Sequence, residues 1–278
     1  MALFQYTRKT FAREFLLLGL GLLFCVPAFV LVVLSLKTTQ DTYTTPFSIP
    51  SPPQFDNYSQ AWSGGSQGGL DQAMQTSVII TVSSVVLLIL VGSLCSYALA
   101  RRESRLSNGL YILFMLGIIF PYQLAIVPIY VVMRDLHLAN VPGMVVLYTG
   151  LLMPFTVFLY TGFIRALPKD YEEAAQVDGA GLFRTWLRVV FPLLMPVTGT
   201  VAVLTGLIVW NDFFLPLIFL SGEGQQTLPL ALYSFVGEQV SQWNLVMAAV
   251  AITIAPVIAF YLFAQRQLIR GFAGGIRG

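Results

Sequence analysis

Six long apolar stretches constrain this chain more than anything else in its sequence: residues 15–36, 76–100, 110–133, 143–164, 196–220 and 244–264. Each is close to the roughly 20 residues that a helix needs to cross a bilayer. Lipid offers the backbone no hydrogen bonds, so each segment must satisfy its own N–H and C=O groups, and the α-helix does so. Composition agrees. Charged residues are 10% of the chain, against about 25% in a soluble domain, too few to cover an aqueous surface. The first stretch is too long for a signal peptide's apolar region and no small-residue cleavage site follows it. The expectation is an all-α integral membrane protein with six transmembrane helices. It is divided into an N-terminal segment 1–14, a membrane domain 15–264 containing a polar interruption at 165–195, and a tail 265–278. Residues 37–75 are rich in Thr, Ser, Pro, Gly and Gln and read as an extracytoplasmic loop with at most a short helix around 58–62.

Basic residues set the orientation. With both termini cytoplasmic, thirteen of the fifteen Lys and Arg residues fall inside, and only Lys37 and Arg134 outside. The reverse topology puts thirteen on the wrong side. Two readings stand for residues 1–14: a short helix on the inner membrane surface, or a basic flank that only fixes topology.

The interruption at 165–195 is then cytoplasmic. Pro168, Lys169 and Asp170 form a helix-start pattern. Gly179 and Gly181 are placed to stop that helix, and a second short helix is expected over 182–190, ending before Pro192. Ala174 and Ala175 permit close backbone approach by a partner. Glu172, Glu173 and Asp178 offer it carboxylates for charge-assisted bonds. On the second helix Leu182, Trp186 and Val189 fall on one face, suited to packing on the chain's own helix ends.

The run Glu173-Ala174-Ala175, three residues, Gly179, nine residues, Val189-Val190-Phe191-Pro192 resembles the EAA loop of ATP-binding-cassette importer permeases. The family more often has isoleucine and leucine where this chain has Val189 and Phe191. Trp210-Asn211-Asp212-Phe213-Phe214-Leu215-Pro216-Leu217 is similar to the fifth-helix segment of the carbohydrate-uptake, maltose-type branch. Gln242-Trp243-Asn244-Leu245 resembles the segment entering that branch's last helix. The glycine-rich end, with Arg270, Gly271, Phe272, Gly274 and Gly275, is similar to that of the smaller maltose-type subunit.

The resemblance implies a type I ABC importer permease architecture in a bacterial or archaeal cytoplasmic membrane. It implies a second homologous permease as heterodimer partner, two cytoplasmic ATPase subunits, an extracytoplasmic solute-binding protein and the lipid bilayer, and no nucleic acid. It assigns ATPase coupling to Glu172, Glu173, Ala174, Ala175, Asp178, Gly179, Ala180, Gly181 and Pro192, and a second ATPase contact to Arg270, Gly271, Phe272, Gly274 and Gly275. ATP and Mg belong to the partner ATPases, and no cofactor is expected on this chain.

The residues themselves agree with a borrowed energy source. A P-loop needs a lysine after glycine, and none of Lys9, Lys37 and Lys169 follows one. No catalytic constellation and no metal site is read: Cys25 and Cys95 sit in apolar runs as small hydrophobes, and His137 reads as a loop residue. The alternative is an ion-coupled secondary carrier or channel centred on Asp212, the one serious acid within a span. Asn211 lies 15 residues after Pro196, roughly 22 Å along a helix. Trp210, Asn211 and Asp212 could therefore line a solute path in the outer half of the membrane, joined by Tyr122 and Gln123. Equally, Asn211 could bond a neighbouring helix, Asp212 pair at the interface, and Gln123 satisfy a carbonyl freed by Pro121.

Overall fold

The structure, a computed structural model, describes residues 8–64, 69–221, 224–239 and 242–275. Among them every regular element is helical: α1 Arg8–Ser35, α2 Thr39–Thr44, α3 Asp56–Ser63, α4 Leu70–Arg101, α5 Arg105–Ile119, α6 Ile126–Asp135, α7 Val141–Ala166, α8 Asp170–Val177, α9 Leu182–Thr185, α10 Phe191–Leu193, α11 Met195–Asn211, α12 Phe214–Leu220, α13 Leu228–Glu238 and α14 Trp243–Gly275. Four unbroken helical stretches are apolar and long enough to cross a bilayer, at Thr10–Ser35, Leu70–Arg101, Val141–Ala166 and Trp243–Leu262. Two bent pairs, Arg105–Ile119 with Tyr122–Asp135 and Leu182–Leu193 with Met195–Asn211, raise the number to as many as six if each pair counts as one span.

Neither the expected third span nor the expected fifth is one unbroken helix. Residues 110–133 are not one helix. Pro121 has no N–H to continue the ladder and biases Phe120 away from helical backbone. Phe120 accordingly takes ψ 119°, a 3₁₀ turn occupies Tyr122–Ala125, and the following segment turns by 90°. Residues 196–220 also divide, because Asp212 is extended at ψ 128° and the helix restarts at Phe214. The short α13, below the length of a span, was not foreseen. His137 sits in the α6–α7 turn at φ 57°, as a loop residue.

The chain forms two compact units, residues 1–70 with 232–255, and 71–231 with 256–278. In the first, α1 is apolar all round from Phe15 on and exposed over most of its length, with Cys25 on that exposed surface rather than buried. This is the pattern of a helix whose neighbours are lipid or another chain. The loop after α1 is tied down by a buried amide pair. Asn57 Nδ2 donates to the carbonyls of Ser35 and Lys37, each at 2.8 Å. Asn244 Nδ2 donates to Asn57 Oδ1 at 3.0 Å, and Thr39 Oγ1 to Asn244 Oδ1 at 3.1 Å. The expected helix near residue 58 is α3, held by this pair.

In the second unit α7 is central. Gly92 lets α4 approach it so closely that an added Cβ would fall on Thr156 Cγ2, and Ser96, one turn on, donates to the Val157 carbonyl at 3.4 Å. This is the small-residue contact that brings membrane helices together. Tyr160 Oη donates to Thr198 Oγ1 at 3.0 Å, and Thr198 to the Leu194 carbonyl at 2.9 Å, joining α7 to α11. One apolar cluster, Tyr97, Tyr160, Ile164, Trp186, Val190, Leu194, Val197 and Val201, collects α4, α7, α11 and the polar interruption at one end of the unit.

Candidate functional site

The interruption is a folded elbow, built from α8, a turn, α9, a π-helical turn at Trp186–Val190, and α10. Helix α8 carries Asp170, Glu172 and Glu173 in its first turn, where carboxylates favour the positive end of the helix dipole. It stops by hydrogen bonding. Gly179 takes φ +80°, its N–H donates to the Gln176 carbonyl at 3.0 Å, and the Ala180 N–H reaches back to Ala175 at 2.9 Å. These two bonds satisfy carbonyls that the helix end leaves free, and they require a residue that tolerates positive φ. A Cβ at Gly179 would meet nothing within 4 Å. The constraint there is backbone conformation, not space. Gly181 serves differently from the expected stop: in extended backbone it caps α9, accepting the Thr185 N–H at 2.9 Å.

Glu172 departs from its expected role. Rather than facing a partner it is 6% exposed and turned into the chain. Arg101 Nε donates to its Oε1 at 2.8 Å, and Tyr97 Oη to its Oε2 at 3.0 Å. Arg101 also donates to the Leu167 carbonyl at 3.1 Å. One guanidinium at the end of α4 thus fixes both the first turn of α8 and the strand of chain leading into it. Sequence reasoning missed Arg101 and Tyr97, counting the first only as a topology charge. Their spacing, four residues apart on α4 and so on one helix face, was the available signal.

The second limb packs through a face one residue away from the expected one. Thr185, Trp186 and Val190 are buried, whereas Leu182 is exposed and Val189 only half-buried. The cause is the π turn, in which the Phe191 N–H donates to the Trp186 carbonyl five residues back. Pro192 cannot donate to Arg188 and its ring crowds that carbonyl, a disturbance that a widened turn relieves. The wider turn brings Val190 rather than Val189 beneath Trp186. Trp186 stacks at tilted angles on Phe183 and Phe191, with centroids 5.4 and 5.6 Å away. The elbow then meets α11 at 78°.

Among the described residues nothing covers the outer surface of the elbow. Glu173, Ala174, Asp178 and Gly179 are exposed, and Ala175 and Ala180 partly so. Around them lie Val177, 88% exposed, with Tyr171, Leu182 and Phe183 also open. These four apolar residues were not foreseen as contact residues. An apolar patch ringed by carboxylates on a polar segment marks an interaction surface.

The solute-path candidates separate. Tyr122, Asn211 and Asp212 line one cavity of about 190 Å³ together with Tyr148. Trp210 faces an apolar recess of about 150 Å³ beside Pro256 and Phe260, and Gln123 is exposed on the 3₁₀ turn without lining either. Each carboxylate oxygen of Asp212 accepts one hydrogen bond. Tyr148 Oη donates to its Oδ2 at 2.8 Å, and the Phe214 N–H to its Oδ1 at 2.9 Å. Asn211 Nδ2 donates to the Leu207 carbonyl in its own helix at 2.8 Å. Asp212 therefore pins the break between α11 and α12 to α7. Nothing in the spacing of Tyr148, 64 residues earlier, announces that bond. Among the described residues no group of His, Cys, Asp and Glu is arranged to hold a metal.

At the C-terminal end the backbone of α14 stays helical through Gly275, so Arg270, Gly271, Phe272, Gly274 and Gly275 belong to a helix extending the last span. Their side chains, and all of residues 276–278, lie outside the described residues.

Residues 88–274 match the family described as binding-protein-dependent transport system inner membrane component. The chain belongs to that family. It is a multi-pass membrane permease component, and relatives resemble it over nearly its whole length. The probable starch degradation products transport system permease protein AmyC of Thermoanaerobacterium thermosulfurigenes is 34% identical over 96% of this chain and 98% of its own. The melibiose/raffinose/stachyose import permease protein MelC of Bacillus subtilis is 36% identical over 90% of each chain. A solved structure of a bacterial ABC transporter involved in import of the acidic polysaccharide alginate superposes with a TM-score of 0.77 at 22% identity, covering 94% of this permease and 98% of that chain. The fold is thus that of an ABC importer permease.

Proposed function

We propose that this chain is one permease subunit of an ATP-driven importer for a carbohydrate or related solute. It works beside a second homologous permease, two ATPase subunits and an extracytoplasmic solute-binding protein. Relatives named for starch degradation products and for melibiose, raffinose and stachyose support the solute class. Orientation follows the charge rule: the end bearing Arg101, Arg102, Arg105, Arg165 and Lys169 is cytoplasmic, with both termini on that side.

The observation that carries the reading is the elbow. It is held from within by Arg101, Tyr97 and the Trp186 cluster, while its outer face, Val177 with Glu173, Ala174 and Asp178, has no cover among the described residues. A segment fixed on one side and open on the other is suited to transmit force. ATPase closure on the outer face drives the elbow, and the elbow, locked to α4, α7 and α11, tilts them between inward- and outward-open arrangements. ATP and Mg remain on the partners, and Glu173 with the C-terminal segment 270–275 contributes further contacts.

The ion-coupled alternative needs a carboxylate at Asp212 free to take up an ion. In the structure Asp212 serves instead as an anchor of the α11–α12 break, each oxygen accepting one hydrogen bond, from Tyr148 and from the Phe214 N–H. The test is reconstitution. Vesicles containing the chain with its partner permease, ATPases and binding protein should accumulate oligosaccharide only when ATP is supplied. Accumulation by this polypeptide alone, driven by an ion gradient, would overturn the reading.

A further inference from the structure

A second feature lies at the same end of the bundle and shares Arg101 with the elbow. The end of α4, the start of α5, the end of α7 and the residue preceding α8 surround a recess of about 610 Å³. That is about twenty water volumes at roughly 30 Å³ each. It is lined by Arg101, Arg102, Arg105, Arg165 and Lys169, with Glu103 as the one carboxylate. Three of the cations are engaged: Arg101 by Glu172, Arg165 over the Tyr111 ring at 4.6 Å, and Lys169 by Glu103 at 3.1 Å. The side chains of Arg102 and Arg105 have no ion pair or hydrogen bond among the described residues. Topology alone asks only that basic residues lie on this side. It does not ask that five of them converge on one concavity with a single acid.

What the recess adjoins narrows the ligand. Helix α5 begins at Arg105 and then presents Leu106, Leu110 and Leu113, exposed by 73%, 41% and 64%. They are spaced four and three residues apart, on one helix face. The juxtaposition is a cationic hollow at the foot of an apolar strip on a membrane-spanning helix. We propose that this recess binds the phosphate headgroup of an anionic phospholipid of the inner leaflet, with an acyl chain lying along Leu106, Leu110 and Leu113. Basic pockets between helix ends on the cytoplasmic side suit such headgroups. A free phosphate ion would make no use of the strip. The placement rests on the orientation proposed above but not on the coupling role of the elbow.

The experiment is native mass spectrometry of the full chain in detergent, titrated with phosphatidylglycerol, cardiolipin or phosphatidylcholine, comparing wild type with the Arg102→Gln/Arg105→Gln double variant. Wild type should retain the anionic lipids over phosphatidylcholine. At about 1 kcal/mol per basic residue near an anionic surface, the double variant should lose roughly thirtyfold in anionic-lipid affinity. Arg102→Lys/Arg105→Lys should recover most of that loss. The Arg101–Glu172 pair is untouched, so an unchanged melting temperature in phosphatidylcholine micelles shows that the variant is folded. Equal retention of phosphatidylcholine, or anionic-lipid retention indifferent to the double variant, overturns the proposal. So does displacement of the lipid by millimolar inorganic phosphate, which would make the recess a free-anion site. Loss of ATPase co-purification from the double variant with lipid retention intact would make the recess a protein contact and also overturn it. The lipid readout needs neither nucleotide nor solute, so failure here and failure of the importer reading are separable.

Discussion

Removing Arg101 tests most sharply how the elbow is held. Arg101→Ala leaves Glu172 6% exposed with only the Tyr97 hydroxyl, and strips the Leu167 carbonyl of its donor. Breaking a buried ion pair by deleting one partner costs about 3–5 kcal/mol, because the remaining charge is stranded. Helix α8 lies at the bundle's edge and can tip Glu172 into water, which lowers the cost toward the 1.5–3 kcal/mol of a lost charge-assisted bond. Taking about 1.5 kcal/mol as the floor, local opening of α8 becomes at least roughly tenfold more frequent, since 1.4 kcal/mol is tenfold. Hydrogen–deuterium exchange of the purified complex reads this directly. The protected amides of Asp178, Gly179 and Ala180, bonded to Ala174, Gln176 and Ala175, should exchange faster by that factor, while the α11 amides stay unchanged. Glu172→Gln should expose the same amides, and Arg101→Ala/Glu172→Gln should cost less than the sum of the two single changes, since the two side chains share one interaction. Unchanged α8 exchange in Arg101→Ala, or strict additivity in the cycle, would refute the reasoning.

Three further outcomes are expected. Gly179→Val should strain a backbone at φ +80° by about 1–3 kcal/mol and abolish ATP-driven uptake without removing the protein from the membrane; normal uptake kinetics in that strain would contradict it. Tyr148→Phe removes a 2.8 Å bond to the Asp212 carboxylate, worth about 1.5–3 kcal/mol, and should lower the melting temperature of the purified complex more than Tyr122→Phe does; equal shifts would argue against the assigned anchor. Gly92→Leu drives a side chain into Thr156 and should destabilise the α4–α7 contact by about 1–3 kcal/mol, seen as loss of folded protein in detergent; a tolerated leucine would mean that the helices do not meet there.

Several parts of this architecture were legible in the residues, for reasons that can be named. Spans declare themselves because lipid tolerates no free backbone polar groups, so each carries a long apolar signal. The stop at Gly179 was legible because few residues other than glycine accept that φ. What stayed hidden depends on contacts between distant positions. Glu172 and Glu173 are adjacent acids, and only the fold shows that Arg101 takes the first and leaves the second outside. Trp186 was foreseen on the inner face, but Val189 was not displaced by Val190 until the π turn forced by Pro192 was seen. The bend after Phe120 was signalled by Pro121, yet its 90° angle is a property of the packing around it. Of the path candidates, Asn211 and Asp212 were found by their polarity within an apolar run. Tyr148, which decides what Asp212 does, was hidden by being an ordinary aromatic in a span.

The outer face of the elbow is the surface on which force must enter. A photoreactive amino acid placed at Val177, 88% exposed, and irradiated in native membranes tests it in one step. The expected product is a covalent adduct with an ATP-binding subunit, whose yield changes when nucleotide is trapped in the complex. An intact complex whose Val177 probe captures only lipid or no partner at all would contradict transmission through this elbow.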